Sequence, residues 1–219
     1  MKPLSLTITY HISSSQVSTY HTTMVIYNTH TTQTKIVSFY EHNIFTVVTK
    51  DHDIVTAWIS ETTENINGRR LVIGLDTEWR SSHQQGFENP IAILQLCVGH
   101  RCLIFQIIHA PYIPQSLVDF LNNPNYIFTG AGALSDAEKL VRHYGLGCAA
   151  YGYWMRLAAN VMYGMSMNGL GLKALARMFL GKEPEKPKWV TTSNWDNQWL
   201  SPEQIDYASI DAFLCFQIG

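Results

Sequence analysis

Apolar positions along this chain change rhythm from front to back. Residues 35–49 carry β-branched and aromatic side chains in two runs, broken at Glu41, His42 and Asn43, which predicts a hairpin. Residues 71–75, Leu-Val-Ile-Gly-Leu, are an unbroken apolar block, the pattern of a central strand covered on both faces. Residues 91–98 and 102–107 predict two further strands joined through Gly99, His100 and Arg101, and residues 126–129 a short one after them.

Helical spacing takes over elsewhere. Ile54, Val55, Trp58 and Ile59 fall on one side of a helix, with Asp51 or Asp53 as its cap. Asn67-Gly68 is a turn signal. Residues 116–121, 135–144, 153–163 and 170–180 predict further helices, and in the helix over 135–144 Leu140 and Val141 are assigned inward. Residues 182–188 are all Lys, Glu and Pro and predict a loop. The last helix is the best marked: Ser201 is its N-cap, Pro202 fits the first helical position and Gln204 completes a capping box. Residues 1–25 have little charge, many hydroxyls and no clear period, and read as a loose, disordered extension ahead of a single domain over 26–219. Strands come first, then strands alternating with helices, then helices; this order predicts an α/β fold with a mixed sheet of about five to six strands flanked by helices.

The 219 residues are 46% hydrophobic and 15% charged, enough to fill one core and too apolar for a chain disordered throughout. The net charge of −2 gives no global attraction for a polyanion. A phosphate-binding surface must be local, or a metal must supply the positive charge. Cys97, Cys102, Cys148 and Cys215 form no C-x-x-C pair and read as reduced thiols. No signal peptide and no span of ~18 apolar residues is visible. A soluble intracellular protein, nuclear or cytoplasmic and without membrane partners, is the expectation.

Four acidic positions carry candidate chemistry. Asp76 and Glu78 flank Thr77 at the end of the central strand; residues i and i+2 of an extended chain share a face, and two neighbouring carboxylates repel unless a cation lies between them. An exposed acidic strand end is the plainer reading. Asp136 sits in the first turn of a helix after Gly130-Ala-Gly132, where an acid also serves the helix dipole. Tyr207 and Asp211 are four apart on the last helix and share a face. Among Ile210, Ala212 and Phe213 the Asp211 carboxylate needs a partner, either a metal or a structural hydrogen bond.

Taken in order, the segments 73–79 (Ile-Gly-Leu-Asp-Thr-Glu-Trp), 130–140 (Gly-Ala-Gly-Ala-Leu-Ser-Asp-Ala-Glu-Lys-Leu) and 204–212 (Gln-Ile-Asp-Tyr-Ala-Ser-Ile-Asp-Ala) resemble the three motifs of the DEDD exonucleases of the RNase H-like superfamily, in the tyrosine-bearing branch. Within it the chain is most similar to the Werner-syndrome-type exonuclease domain in its small stand-alone plant form. The resemblance covers about residues 35–219. Tyr153 stands where such sequences commonly carry an Asp.

The resemblance implies a 3′-to-5′ exonuclease acting on single-stranded DNA or RNA or on 3′ overhangs and releasing nucleoside 5′-monophosphates. Asp76, Glu78, Asp136 and Asp211 would hold two Mg²⁺ ions, with Mn²⁺ able to substitute, and Tyr207 would orient the attacking water. Thr77, Trp79 and Leu140 are candidate substrate contacts, although core packing is the plainer reading of Trp79 and Leu140. Lys139, Arg142 and Lys173 read as exposed helix charges, Lys182, Lys186 and Lys188 as a modest basic loop, and His83 and His143 as surface residues. A homo-oligomer would help so small a nuclease grip a strand. The alternative is a non-catalytic nucleic-acid-binding or assembly protein that keeps the fold; the presence of all four acids and the tyrosine speaks against it.

Overall fold

The computed structural model describes residues 4–9, 21–26, 29–64, 70–82, 86, 88–148 and 170–219. Its centre is a six-stranded sheet of β3 (Thr32–Phe39), β4 (His42–Thr49), β5 (Leu71–Trp79), β6 (Ile91–Val98), β7 (Arg101–Phe105) and β8 (Tyr126–Thr129), in the order β3-β4-β7-β6-β5-β8. The pairs β4–β7 and β5–β8 are parallel, and β6 runs antiparallel to both β5 and β7. A separate two-stranded antiparallel ladder joins β1 (Leu4–Thr9) to β2 (His21–Ile26) within the segment read as a loose extension. The turn signal at Asn67-Gly68, the helix expected over 153–163 and His83 lie outside the described residues.

Helices cover both faces of the sheet, which is why β5 and β6 read as continuous apolar runs rather than alternating ones. On one face lie α1 (His52–Thr63), α2 (Gln115–Leu121) and α3 (Ala133–Tyr144), contributing Val55, Trp58, Ile59, Leu117, Phe120, Leu121 and Leu140 to a core with Ile73, Leu75 and Phe128. The other face carries α4 (Leu172–Leu180), the single turn α5 (Lys188–Thr191) and α6 (Pro202–Ile218) over Ile44, Ile93, Cys97 and Ile104. This is the mixed, helix-flanked sheet that the sequence predicts.

Local chemistry sets the boundaries. Asp51 caps α1, accepting from the Asp53 N–H at 2.9 Å. Ser201 and Gln204 form both halves of the capping box on α6. The β3–β4 hairpin turns one residue earlier than expected, through Tyr40 and Glu41, with Tyr40 in the left-handed region at φ 51.

Helix α6 presses directly onto β5 at Gly74. A Cβ there would stand 2.9 Å from Phe216 Cβ and closer still to the Ala212 carbonyl oxygen and Phe216 nitrogen. Only a residue without a side chain permits this approach. The buried Thr129 hydroxyl of β8 completes the seam, 2.7 Å from the Cys215 carbonyl and 3.2 Å from that of Ile73.

Three surface assignments change. Val141 is 53% exposed while Leu140 is fully buried, because adjacent helical residues lie about 100° apart and α3 meets the sheet along a narrow stripe. Lys139, read as an exposed charge, is only 7% exposed; its stem lies along the protein and its ammonium meets Glu88 at 2.7 Å. His143 is half-buried, its Nδ1 accepting from the Ile91 N–H at 3.4 Å.

Candidate active site

The contact of α6 with β5 at Gly74 places the helix beside the two residues that follow on the same face of the strand. Asp76 and Glu78 reach the end of β5 half-buried, and Asp211, one turn before Cys215 on α6, is 2% exposed. Oxygens of Asp76, Glu78 and Asp211 lie within 4.8 Å of one another. Carboxylates so distant in sequence are thus gathered by a single close packing of helix on strand.

Asp136 stands apart from this trio. It is buried in the first turn of α3 and near enough to add its charge to the repulsion felt by Asp76 and Glu78. Thr77 is buried between the two acids of β5, its hydroxyl beside Asp136 without ordinary hydrogen-bond geometry.

The electrostatics follow from packing acids together in a partly dry cleft. Burial, then the charges of Asp211, Glu78 and Asp136, push Asp76 well above the usual carboxylate range. Burial and Asp211 push Glu78 up to about 8. Burial lifts Asp136 to about 6 against the opposing pull of Thr77 and Lys139. Asp211 is also raised by burial, less so because Lys186 and the Tyr207 hydroxyl favour its ionised form. Burial and the same carboxylates hold the Tyr207 phenol far above its ordinary value, so it stays protonated.

A donor set of oxygens only, with more negative charge than neighbouring side chains offset, fits a hard divalent cation such as Mg²⁺ or Mn²⁺. The second acidic group, Asp51, His52 and Asp53, includes the N-cap of α1 and has no such burial.

The other candidates divide. Trp79 is half-buried at the end of β5, and Lys139 Nζ lies 3.1 Å from its ring centroid. Leu140, in contrast, is 0% exposed within the core beneath β5; it offers no surface to a ligand, and its candidacy as a substrate contact is corrected to core packing.

Of two further residues at the site, Gln95 escaped the sequence reading and Lys186 entered it only as part of a basic loop. Gln95, directly opposite Asp76 on β6, is fully buried, and neither atom of its amide has a partner among the described residues; a lone Gln in an apolar strand is the signal that marks it. Lys186 donates to Asp211 Oδ2 at 2.5 Å and to the Tyr207 hydroxyl at 3.3 Å; nothing in the run of Lys, Glu and Pro distinguishes it from its neighbours.

Residues 46–219 match the model of a 3′-5′ exonuclease family. The chain is 33% identical over 174 residues to exonuclease 3′-5′ domain-containing protein 2 of Drosophila melanogaster, covering 78% of this chain and 29% of that protein. It is 30% identical over 143 residues to the bifunctional 3′-5′ exonuclease/ATP-dependent helicase WRN of Mus musculus, covering 65% and 10%. The chain therefore spans less than a third of either relative. The crystal structure of the Aedes aegypti Nibbler EXO domain has the same fold, with a TM-score of 0.62 at 18% identity, covering 78% of this chain and 84% of that one.

Proposed function

The chain belongs to the 3′-5′ exonuclease family, and from that premise we propose that its carboxylate cleft hydrolyses phosphodiester bonds at the 3′ end of a nucleic-acid strand, releasing nucleoside 5′-monophosphates. The observation that carries this reading is the meeting of Asp76, Glu78 and Asp211 oxygens within 4.8 Å, with Asp136 apart from them but near enough to add its charge. In family terms we assign the tyrosine-bearing branch, on Tyr207 one turn before Asp211, and the small plant type, with the catalytic domain over residues 26–219.

Asp76, Glu78, Asp136 and Asp211 would hold two divalent ions, Mg²⁺ or Mn²⁺. Such ions activate a water nucleophile and stabilise the leaving 3′-oxygen. The chain's own residues do the rest. Tyr207, kept protonated by burial and by its acidic neighbours, acts as a hydrogen-bond donor that orients water or phosphate and not as a base. Thr77, between the two ligands of β5, is assigned to the substrate-binding set. Trp79 offers an aromatic face to the terminal base, a contact worth ~1–3 kcal/mol, with Lys139 holding the ring from its other side. The substrate is single-stranded DNA or RNA or a 3′ overhang, gripped by a homo-oligomer. Among the described residues no helix is long and apolar enough to cross a membrane; the proposed location is the nucleus or cytoplasm.

The test is a time course on 5′-labelled single-stranded DNA and RNA with Mg²⁺, Mn²⁺ or EDTA, with Asp76→Ala as control. Products shortening stepwise from the 3′ end with wild-type protein and metal alone are expected. Equal degradation by the control, or products that appear by internal cutting, would refute the proposal.

A further inference from the structure

The cleft already receives a positive charge from the chain itself. Lys186 lies in the connection between α4 and α5. Its Nζ is 2.5 Å from Asp211 Oδ2, 3.3 Å from the Tyr207 hydroxyl and 5.1 Å from the centre of the Tyr207 ring. The ion pair is sheltered: the Asp211 side chain is 3% exposed and that of Lys186 24%.

The segment carrying Lys186 is fastened on either side. Lys182 Nζ meets Glu41 at 2.7 Å and His42 Nε2 at 2.6 Å, and the Glu183 N–H donates to the Tyr40 hydroxyl at 3.3 Å. The Glu183 carboxylate pairs with Lys173 at 2.9 Å. Pro184 and Pro187 restrict the backbone between these anchors and α5. What can move is the Lys186 side chain, a compact charge on a flexible four-carbon stem.

On the reading that the cleft takes divalent ions, an ammonium and a metal ion claim the same Asp211 carboxylate. Two cations cannot share it at such range without strong repulsion. We propose that Lys186 is a tethered counter-ion: its ammonium competes with the divalent cation for Asp211, so metal entry requires Lys186 to withdraw, and the lysine thereby sets the metal concentration at which the site loads. It is a positioning residue and contacts neither water nor scissile bond in this role.

Two measurements test this with Mn²⁺ alone as the probe. In calorimetric titration, Lys186→Met is expected to bind Mn²⁺ roughly tenfold or more tightly than wild type, and its melting temperature in EDTA to be lower, with a larger rise on adding Mn²⁺. In the unaltered protein, Mn²⁺ is expected to increase acetylation of Lys186 severalfold relative to Lys188, read by mass spectrometry, because withdrawal frees the amine. The second measurement stands even if the Met variant fails to fold. Wild-type affinity in the variant, or unchanged acetylation of Lys186 in protein shown to bind Mn²⁺, would overturn the competition while leaving the metal site intact. No Mn²⁺ binding by wild type or variant would instead refute the metal reading on which it rests.

Discussion

Gly74→Ala probes the one contact from which the site is built. The added Cβ would lie 2.9 Å from Phe216 Cβ, with the Ala212 oxygen and Phe216 nitrogen nearer still, inside the ~3.5 Å at which carbon atoms pack best. Two of the three obstacles are backbone atoms of α6, so no rotamer change relieves them. The helix must lift or slide, and Asp211 with Tyr207 must move away from Asp76 and Glu78. Overpacking of this kind costs about 1–3 kcal/mol, equivalent to a fall of roughly 2–12 °C in melting temperature for a chain of this size. A displacement on the order of 1 Å between catalytic groups costs about 10²-fold in turnover. The assay is thermal melting alongside cleavage of a 5′-labelled strand. Gly171→Ala serves as control, because among the described residues nothing lies within 4 Å of a Cβ added there. A Gly74→Ala protein that melts and cleaves like wild type would refute the seating of α6 on β5.

Further predictions concern the seam, the phenol and the titration of the acids. Thr129→Val removes a hydroxyl that serves the Cys215 or Ile73 carbonyl and should destabilise by about 1–3 kcal/mol in chemical denaturation; an unchanged midpoint would show that the bond contributes nothing. Tyr207→Phe should lower kcat by roughly 10–100-fold, as expected of an orienting group, while leaving Mn²⁺ affinity by calorimetry within about twofold; a large loss of metal binding would contradict the orienting role. Glu78 at about 8 and Asp136 at about 6 both lie above the ordinary carboxylate values of ~4, so the folded chain holds protons that the unfolded chain releases. Their stabilising contribution is complete below about pH 4 and is lost as pH rises through about 6 and then about 8. In EDTA the melting temperature should therefore fall between pH 5 and 8, and Mn²⁺ should remove most of that fall; a metal-free protein that gains stability across this range would contradict the crowding of the acids.

Legibility in the sequence followed the range of the interaction. The capping box of Ser201 and Gln204 is written within four consecutive positions, so α6 began where expected. The apolar block at 71–75 and the spacing of Asp76 and Glu78 place both acids at a strand end from local pattern alone. Gly74 carried the missing information for Asp211: its bare Cα admits α6, but only a contact across more than 130 residues shows why. Val141 was misassigned because α3 buries a narrower stripe than its two neighbouring apolar residues suggest. The buried state of Lys139 depends on Glu88 and Trp79, and the half-buried position of Lys186 on Asp211 and Tyr207. No property of a lysine in sequence announces such partners. Tyr40 took the left-handed turn position usually filled by glycine or asparagine, and its hydroxyl accepts from the Glu183 N–H, a tertiary contact again outranking local propensity.

The most direct test of the central claim is single-turnover cleavage of a short 5′-labelled oligonucleotide by wild type and by Asp211→Asn at saturating Mn²⁺, with folding of both checked by melting. Asparagine keeps the shape of the side chain and removes the charge that α6 adds to the acids of β5. A rate lower by about 10³-fold or more is predicted, the scale of losing a group that stabilises transition-state charge. A folded variant that shortens the strand at the wild-type rate would contradict the account.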